Sequence, residues 1–296
     1  MNFGQVITAM VTPFDQNGNV DYDATRSLIN YLIQNGSDGL VVAGTTGESP
    51  TLTHEEKLHL FRLTVDEVNG RVPVIAGTGS NNTRASIELS KEAESIGVDA
   101  AMLVTPYYNK PSQEGMYQHF STIANSINLP VMLYNIPGRS AVGMSPDTII
   151  RLSQIENIVS VKEASGDLDQ VTAIINNTAP EFTLYTGEDS QTLPTVAVGG
   201  TGVVSVSAHV IGNEMQQMLN ALHNGDVAFA SRMHGYIVPF MNAMFSAPSP
   251  TPVKEALNQI GVLVGGVRLP LIPLNDTERA SLTQLINEYR SQEDVG

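Results

Sequence analysis

The sequence repeats one order of segments eight times: a short run rich in β-branched residues, a polar or glycine-containing turn, and a stretch with helical periodicity. The runs have the length and composition of strands that are buried on both faces of a parallel sheet. Their starts recur about every 20 to 35 residues, the spacing of a strand followed by a crossover helix. They occupy residues 6–11, 39–43, 72–76, 100–104, 131–134, 158–163, 183–185 and 202–206.

The segments between these runs are amphipathic at helical spacing, at residues 23–35, 53–69, 83–96, 114–126, 146–154 and 168–176. Eight such units favour an α/β protein that forms a (β/α)8 TIM barrel, and a doubly wound open sheet is the alternative. After about residue 212 the strand pattern stops, and helical segments interrupted by prolines follow. We therefore expect a catalytic barrel over residues 1–224 and a C-terminal helical region over residues 225–296.

Composition and charge exclude several classes of protein. The 296 residues, 42% of them hydrophobic, are enough for the core of one large barrel. A formal net charge of −15 argues against nucleic acid as a partner, because phosphate binding needs a basic face. The chain has no cysteine, and its histidines lack metal-ligand spacing. Because we find neither a signal peptide nor an apolar run of membrane-span length, we expect a cytoplasmic protein without membrane contact.

One lysine stands out because it lies inside an apolar strand. Lys162 is near the end of the run at 158–163, where burial would disfavour its charged form. A desolvated, neutral lysine is a nucleophile toward carbonyls and forms Schiff bases. The alternative is a structural lysine that extends out of the strand end or pairs with Glu163. The other lysines lie in helical or loop segments where we expect the ammonium to remain in water; they are Lys57, Lys91, Lys110 and Lys254.

Further polar residues follow the predicted strands, and in a barrel these strand ends meet at one mouth. Residues 44–48 offer hydroxyls and backbone N–H groups that can hold a carboxylate or a phosphate. The alternative is that this glycine-containing turn has only a conformational role in ending the strand. Tyr134 should lie beside Lys162 on the adjacent strand, within reach for proton transfer, or merely pack its ring. Arg139 follows a Pro-Gly turn, where a guanidinium can bind a carboxylate or remain solvated.

Four motifs in order resemble the dihydrodipicolinate synthase family, whose activity is that of 4-hydroxy-tetrahydrodipicolinate synthase. They are GTTGES at residues 44–49, VTPYYN at 104–109, YNIPGR at 134–139 and VKEA at 161–164. The resemblance continues through PVK at 252–254 and LP at 269–270. It implies an aldolase-type lyase that condenses pyruvate with L-aspartate 4-semialdehyde, in the biosynthesis of diaminopimelate and lysine. It further implies a homo-oligomer, either a dimer or a homotetramer.

The same resemblance implies roles for the catalytic residues. Lys162 would form the Schiff base with pyruvate, and Tyr134 would transfer protons. Thr45 and Tyr108, the latter contributed by a neighbouring subunit, would complete a proton relay to solvent. No metal or organic cofactor is required, because the iminium on the lysine is itself an electron sink.

A second set of residues would bind the substrates. The resemblance implies that Thr46 and the backbone at Val204 hold the carboxylate of pyruvate, and Gly187 belongs to the same substrate-binding set. Arg139 would hold the carboxylate of the semialdehyde. Arg139 also discriminates against the alternatives in the superfamily, N-acetylneuraminate lyase and the sugar-acid aldolases and dehydratases, which act on longer substrates. A barrel that binds a keto acid without catalysis is an alternative from another class.

Feedback inhibition by lysine, known in several members of the family, is expected to be weak or absent. The resemblance implies an effector site with a histidine one turn after a first histidine, and a glutamate four residues after an asparagine. Here the corresponding positions carry Lys57, three residues after His54, and Ala85, four residues after Asn81. A carboxylate that pairs with the effector ammonium is thus lost, and a cation is added. The alternative is that neighbouring residues, including Asn82 or Glu88, rebuild the site.

Overall fold

The computed structural model describes residues 2–293 and contains a closed barrel of parallel strands in which each strand pairs with the next and the last pairs with the first. The predicted (β/α)8 barrel is confirmed, and the open sheet is wrong. The strands are β1 (Val6–Ala9), β2 (Gly39–Val42), β3 (Val74–Gly77), β4 (Ala100–Val104), β5 (Val131–Asn135), β6 (Ile158–Glu163), β7 (Thr183–Thr186) and β8 (Gly202–Ser205).

Helices follow the strands and surround the barrel. In residues 2–293 the α-helices are α1 (Tyr22–Gln34), α2 (His54–Val68), α3 (Thr83–Ile96), α4 (Gln113–Ala124), α5 (Pro137–Ser140), α6 (Pro146–Leu152), α7 (Leu168–Asn177), α8 (Thr192–Ala197), α9 (Ala208–His223), α10 (Val227–Ala243), α11 (Thr251–Gln259) and α12 (Asp276–Glu293). None of these helices combines the length and the hydrophobicity that crossing a membrane requires.

Local sequence explains where the helices begin and end. At the start of α2, Thr53 accepts a hydrogen bond from the Glu56 N–H while the Glu56 carboxylate accepts one from the Thr53 N–H. This capping box satisfies two amide groups that the helix itself leaves unpaired. At the start of α3 the Asn82 side chain accepts a hydrogen bond from the Ala85 N–H, and Gly97 ends that helix with φ of 95°, which favours glycine. These signals explain why the predicted range 83–96 matches α3.

The core has two layers. Side chains of alternating strand residues fill the barrel interior, and others pack between the strands and the helices. The interior layer includes Ile7, Val41, Ile75, Met102, Met132, Tyr134, Tyr185 and Val204. Packed side chains therefore fill the barrel below the C-terminal ends of its strands. A substrate can enter only at these C-terminal ends.

The C-terminal region packs against the barrel. α10 lies against α9, and α11 lies against α9 and α12. The loop after α11 also reaches the first strand unit, because the Phe14 N–H donates a hydrogen bond to the Val264 carbonyl. The domain boundary expected after residue 224 falls between α9 and α10 and stays a prediction. The last residues of the expected C-terminal region, 294–296, lie outside the described residues.

Candidate active site

Lys162 and Tyr134 lie side by side at the C-terminal ends of β6 and β5, as the sequence predicts. The two residues are register partners, and the Lys162 Nζ atom lies 4.2 Å from the centroid of the Tyr134 ring. Only 5% of Lys162 is exposed. Burial lowers its pKa to about 8, while the carboxylates of Asp189 and Glu188 oppose the shift and Arg139 adds to it. A useful fraction of the amine is therefore neutral near pH 7.

Lys162 does not pair with Glu163, so the structural alternative for this lysine is wrong. Successive strand residues face opposite sides, and the Glu163 carboxylate accepts hydrogen bonds from the side chains of Asn135 and Gln170 and from the Ser165 N–H. Burial raises the pKa of Glu163, and these donors oppose the shift. The lysine is left facing the barrel mouth.

The Tyr134 phenol is placed to hold a proton beside the lysine. Burial raises the pKa of Tyr134 to about 12, so the phenol is neutral near pH 7. Arg139 and a hydrogen bond with the Thr45 side chain oppose this shift, whereas Glu188 adds to it. The contact with Thr45 links the loop after β2 to the end of β5. The predicted pair of Thr45 and Tyr134 is therefore formed within a single chain.

A cavity of about 340 Å³ opens over the lysine. Its size suits a small substrate, and its wall combines hydroxyls, two basic side chains and one carboxylate with apolar surface. Residues from the ends of five strands and the loops that follow them, together with the C-terminal region, line it; among them are Thr45, Thr46, Tyr134, Arg139, Lys162, Gly187, Glu188, Val206, Phe245 and Ser249. Of the eight residues that the sequence predicts for catalysis and substrate binding, six, including Lys162, thus line one cavity.

Gly187 leaves the space that the Lys162 side chain occupies. A Cβ atom at Gly187 would lie 2.8 Å from the Lys162 Cε atom and 2.7 Å from the Ala164 Cβ atom, closer than such atoms pack. The residue therefore has to be glycine for the lysine to extend into the cavity. The structure assigns Gly187 a steric role in the site that the sequence alone does not reveal.

Arg139 lies on the solvent side of the cavity. It belongs to the four-residue helix α5, whose turn is held by hydrogen bonds from the Ser140 hydroxyl to the carbonyls of Ile136 and Val142. Arg139 also lines a neighbouring cavity of about 250 Å³ that reaches Lys57 and Tyr107. A guanidinium in this position can meet an anionic group that enters from solvent.

Two predicted site residues lie apart from the cavity. Val204 lies deeper in β8, in the interior layer of the barrel, and Val206 lines the cavity two residues later. Tyr108 is 89% exposed, in the loop after β4, with φ of 74°. The single chain does not bring the Tyr108 phenol to Lys162, so its role in a relay stays a prediction that depends on a neighbouring subunit.

The chain matches the model of the dihydrodipicolinate synthetase family over residues 2–289. This chain belongs to that family. The match covers the eight strand units and most of the C-terminal region, including every residue of the cavity. The motifs quoted from the sequence therefore lie on a barrel of this family.

Relatives are similar over nearly the whole chain. A 4-hydroxy-tetrahydrodipicolinate synthase of Bacillus velezensis is 60% identical over 97% of this chain and 100% of its own length. The crystal structure of a dihydrodipicolinate synthase from Bacillus anthracis superposes with a TM-score of 0.96 at 59% identity, covering 97% of this chain and 98% of that one. A structure of the Cyanidioschyzon merolae enzyme with lysine bound has a TM-score of 0.96 at 46% identity, over 97% and 98% of the two chains.

The expectation that Lys254 keeps its ammonium in water is wrong. Only 2% of its side chain is exposed, and its Nζ atom lies 2.7 Å from Glu48 Oε1 and 2.6 Å from the Gly266 carbonyl. It also lies 4.1 Å from the centroid of the Phe14 ring. Burial lowers the pKa of Lys254 to about 8, and the Glu48 carboxylate opposes the shift. The reason is tertiary, because α11 packs its first turn against the loop after β2.

Lys57 also departs from that expectation. It is half-buried, and burial lowers the pKa of its amine. Burial therefore lowers the pKa of three lysines, Lys57, Lys162 and Lys254. What distinguishes Lys162 is its place on the wall of the cavity beside Tyr134.

The sequence gives little warning of three residues on the cavity wall. Phe245 and Ser249 come from the C-terminal region, which the strand and helix pattern treats as an appendage. Glu188 follows β7, and the sequence pattern marks it only as one of many polar residues at strand ends. The signal that could have indicated Glu188 is its place directly after Gly187, which the resemblance assigns to the substrate-binding set. No comparable local signal exists for Phe245 and Ser249.

Proposed function

We propose that this chain is a 4-hydroxy-tetrahydrodipicolinate synthase that condenses pyruvate with L-aspartate 4-semialdehyde through a Schiff base on Lys162. The observation that carries the proposal is a buried lysine of lowered pKa beside Tyr134 in a cavity that also contains Arg139. The names of relatives that are about 60% identical over nearly their full length support it.

The first step is attack of the neutral Lys162 amine on the keto carbon of pyruvate. A carbon–nitrogen bond forms, the carbonyl oxygen takes up protons and leaves as water, and an iminium remains. Tyr134 is the neighbouring phenol from which the oxygen takes its proton, and the contact with Thr45 connects that phenol to the loop after β2. The positive nitrogen then draws electrons from the adjacent carbon, so the pyruvate methyl group loses a proton and becomes an enamine.

The second step joins the two substrates. The enamine carbon attacks the aldehyde carbon of the semialdehyde, and the new oxyanion takes up a proton to become a hydroxyl. The amine of the semialdehyde, once deprotonated, then attacks the iminium carbon and closes a ring. The bond to Lys162 breaks, the lysine regains its amine, and 4-hydroxy-tetrahydrodipicolinate leaves with its hydroxyl in place.

Anionic groups of both substrates need donors in the cavity. The Thr46 hydroxyl and the backbone near Val204 hold the pyruvate carboxylate, and Gly187 leaves room for the covalent intermediate beside Lys162. Arg139 holds the carboxylate of the semialdehyde, because its guanidinium faces the open side of the cavity. No metal or organic cofactor takes part in these steps. The product belongs to the cytoplasmic synthesis of diaminopimelate and lysine.

A competition between acceptors tests the proposal. With pyruvate as donor, L-aspartate 4-semialdehyde should be consumed at least a hundredfold faster than N-acetylmannosamine, the acceptor of an N-acetylneuraminate lyase. Lys162→Ala should abolish both reactions, and Arg139→Met should raise KM for the semialdehyde without preventing covalent capture of pyruvate. Preferential use of N-acetylmannosamine, or no covalent mass gain with pyruvate and borohydride, would replace this function with a lyase or a non-catalytic binding barrel.

A further inference from the structure

The Glu188 carboxylate lies in the cavity without a partner. It lines the same wall as Lys162 and Arg139 and is half-buried. Among the side chains of residues 2–289, none donates a hydrogen bond to this carboxylate, and no cation lies within ion-pair distance of it. The Glu188 backbone is nevertheless fixed, because its N–H and carbonyl both hydrogen-bond the Thr186 hydroxyl and its carbonyl accepts from the Gln191 N–H.

The neighbouring Asp189 has a structural explanation that Glu188 lacks. The fully buried Asp189 carboxylate accepts hydrogen bonds from the Val206 and Ser207 N–H groups and from the Ser207 hydroxyl. It thereby caps the backbone that follows β8. Glu188 stabilises no comparable element, and burial together with the Asp189 charge raises its pKa. Lys162 and Arg139 oppose this shift without forming an ion pair with Glu188, so its carboxylate is free to pair with a cationic group of a ligand.

The charges around the cavity match one feature of the proposed acceptor. L-aspartate 4-semialdehyde carries a carboxylate and an α-ammonium group, whereas pyruvate carries only a carboxylate. Arg139 supplies a cation on the cavity wall and Glu188 supplies an anion, and Lys162 lies on the same wall. The acceptor can therefore be held by two opposite charges while its aldehyde faces the lysine-bound enamine.

We infer that Glu188 binds the α-ammonium group of the acceptor and so selects an amino-acid aldehyde over an aldehyde that lacks the amine. This inference rests on the proposed function and extends it to the residue that binds the amine of the second substrate. Glu188 is then a specificity-determining residue that acts in the second half of the reaction, after pyruvate has been captured. Capture of pyruvate itself does not require it.

The experiment compares two acceptors in Glu188→Gln, which keeps the shape of the side chain and removes the charge. The first acceptor is L-aspartate 4-semialdehyde, and the second is succinic semialdehyde, which has the same aldehyde and carboxylate but no amine. The variant should raise KM for the amino-acid aldehyde about ten- to a hundredfold, the range of one charge-assisted hydrogen bond. The affinity for succinic semialdehyde, measured as its inhibition constant against the first acceptor, should change less than threefold. Pyruvate-dependent labelling of Lys162 with borohydride should remain complete.

Two control variants show whether the effect depends on the charge at position 188. One removes a carboxylate elsewhere, and the other keeps the carboxylate at this position. Glu181→Gln removes an exposed carboxylate just before β7, away from the cavity, and should leave both acceptors unaffected. Glu188→Asp keeps the charge and should retain part of the preference for the amine. An equal loss for both acceptors, or no loss for either, overturns the inference.

Three further outcomes keep this inference distinct from the proposed function. If Glu188→Gln lowers kcat or pyruvate labelling while KM stays constant, Glu188 acts on the charge of Lys162 and the inference is wrong. If the unmodified protein does not use L-aspartate 4-semialdehyde at all, the proposed function and the inference both fail. If it does use this substrate and the variant keeps the same preference, only the inference fails.

Discussion

The Lys254 ammonium lies 2.7 Å from the Glu48 carboxylate, and only 2% and 1% of these two side chains are exposed. The other Glu48 oxygen accepts a hydrogen bond from the Arg268 N–H. Glu48 itself has a φ of 57°, a left-handed conformation that is unfavourable for a residue with a side chain. The pair therefore joins the C-terminal region to the loop after β2, which carries Thr45 and Thr46.

Removing one partner of this ion pair should strongly destabilise the protein. Lys254→Met leaves the Glu48 carboxylate buried without a counter-charge, which costs about 3–5 kcal/mol of unfolding free energy. Urea denaturation measures the change, with Lys91→Met on the exposed face of α3 as the control. The double variant Lys254→Met with Glu48→Gln should lose less than the single one. A loss below about 1 kcal/mol in Lys254→Met would show that the pair is not buried in solution.

Borohydride reduction in the presence of pyruvate should label Lys162 and no other lysine. Lys162 reacts because pyruvate can reach it in the cavity. Lys254 also has a pKa lowered to about 8, but its ammonium is held by Glu48 and the Gly266 carbonyl, away from the cavity. Peptide mapping after reduction identifies the modified residue. Lys162→Ala should gain no mass, and Lys162→Arg should fold but lose nearly all activity, because guanidinium stays protonated. Labelling that persists in Lys162→Ala would rule out the mechanism.

The rate of pyruvate capture should rise with pH and level off above about 8. Burial favours the neutral form of Lys162 and lowers its pKa to about 8, so the reactive amine accumulates above that pH. Below it, each unit of pH should reduce the rate about tenfold, because the neutral fraction falls by that factor. Pre-steady-state capture, measured without the second substrate, isolates this step. A midpoint near that of an ordinary lysine would show that the amine is solvated.

Sequence predicts the barrel and its central pair because both depend on local pattern and strand register. Lys162 and Tyr134 end neighbouring strands, and parallel pairing brings such ends together. Lys254 is misjudged for the opposite reason. Its burial depends on contacts with Glu48 and Phe14, which lie more than two hundred residues away along the chain, and no local periodicity reports such contacts. The same limit applies to Phe245 and Ser249 on the cavity wall.

Activity should require at least a dimer if a neighbouring subunit supplies Tyr108. The side chain is 89% exposed in a single chain, and an aromatic residue in a loop is a common interface anchor. Mixing Lys162→Ala with Tyr108→Phe subunits should restore activity, since one site of a hybrid dimer then combines an intact lysine with an intact Tyr108. Mixing Lys162→Ala with Tyr134→Phe should not, because those two residues belong to one chain. A fully active monomer in dilute sedimentation and activity measurements would contradict the prediction.

L-lysine should inhibit this protein weakly or not at all. Family resemblance implies an effector site near Lys57 and Ala85, and Lys57 lines the cavity of about 250 Å³ together with Ser49 and Tyr107. A second ammonium there meets the Lys57 cation and finds no carboxylate at Ala85. Losing one charge-assisted hydrogen bond and adding one repulsion should each reduce affinity about ten- to a hundredfold. Steady-state rates should therefore change little at millimolar lysine.

The double variant Lys57→His with Ala85→Glu gives this prediction its sharpest form. It removes the cation and restores a carboxylate that can pair with the effector ammonium, so it should gain inhibition while the reaction without lysine stays similar. Arg84→Gln on the exposed face of α3 is a matched surface control that should gain none. Inhibition of the unmodified protein by sub-millimolar lysine would mean that neighbours such as Asn82 or Glu88 supply the missing contacts, and the role assigned to Lys57 and Ala85 would be wrong.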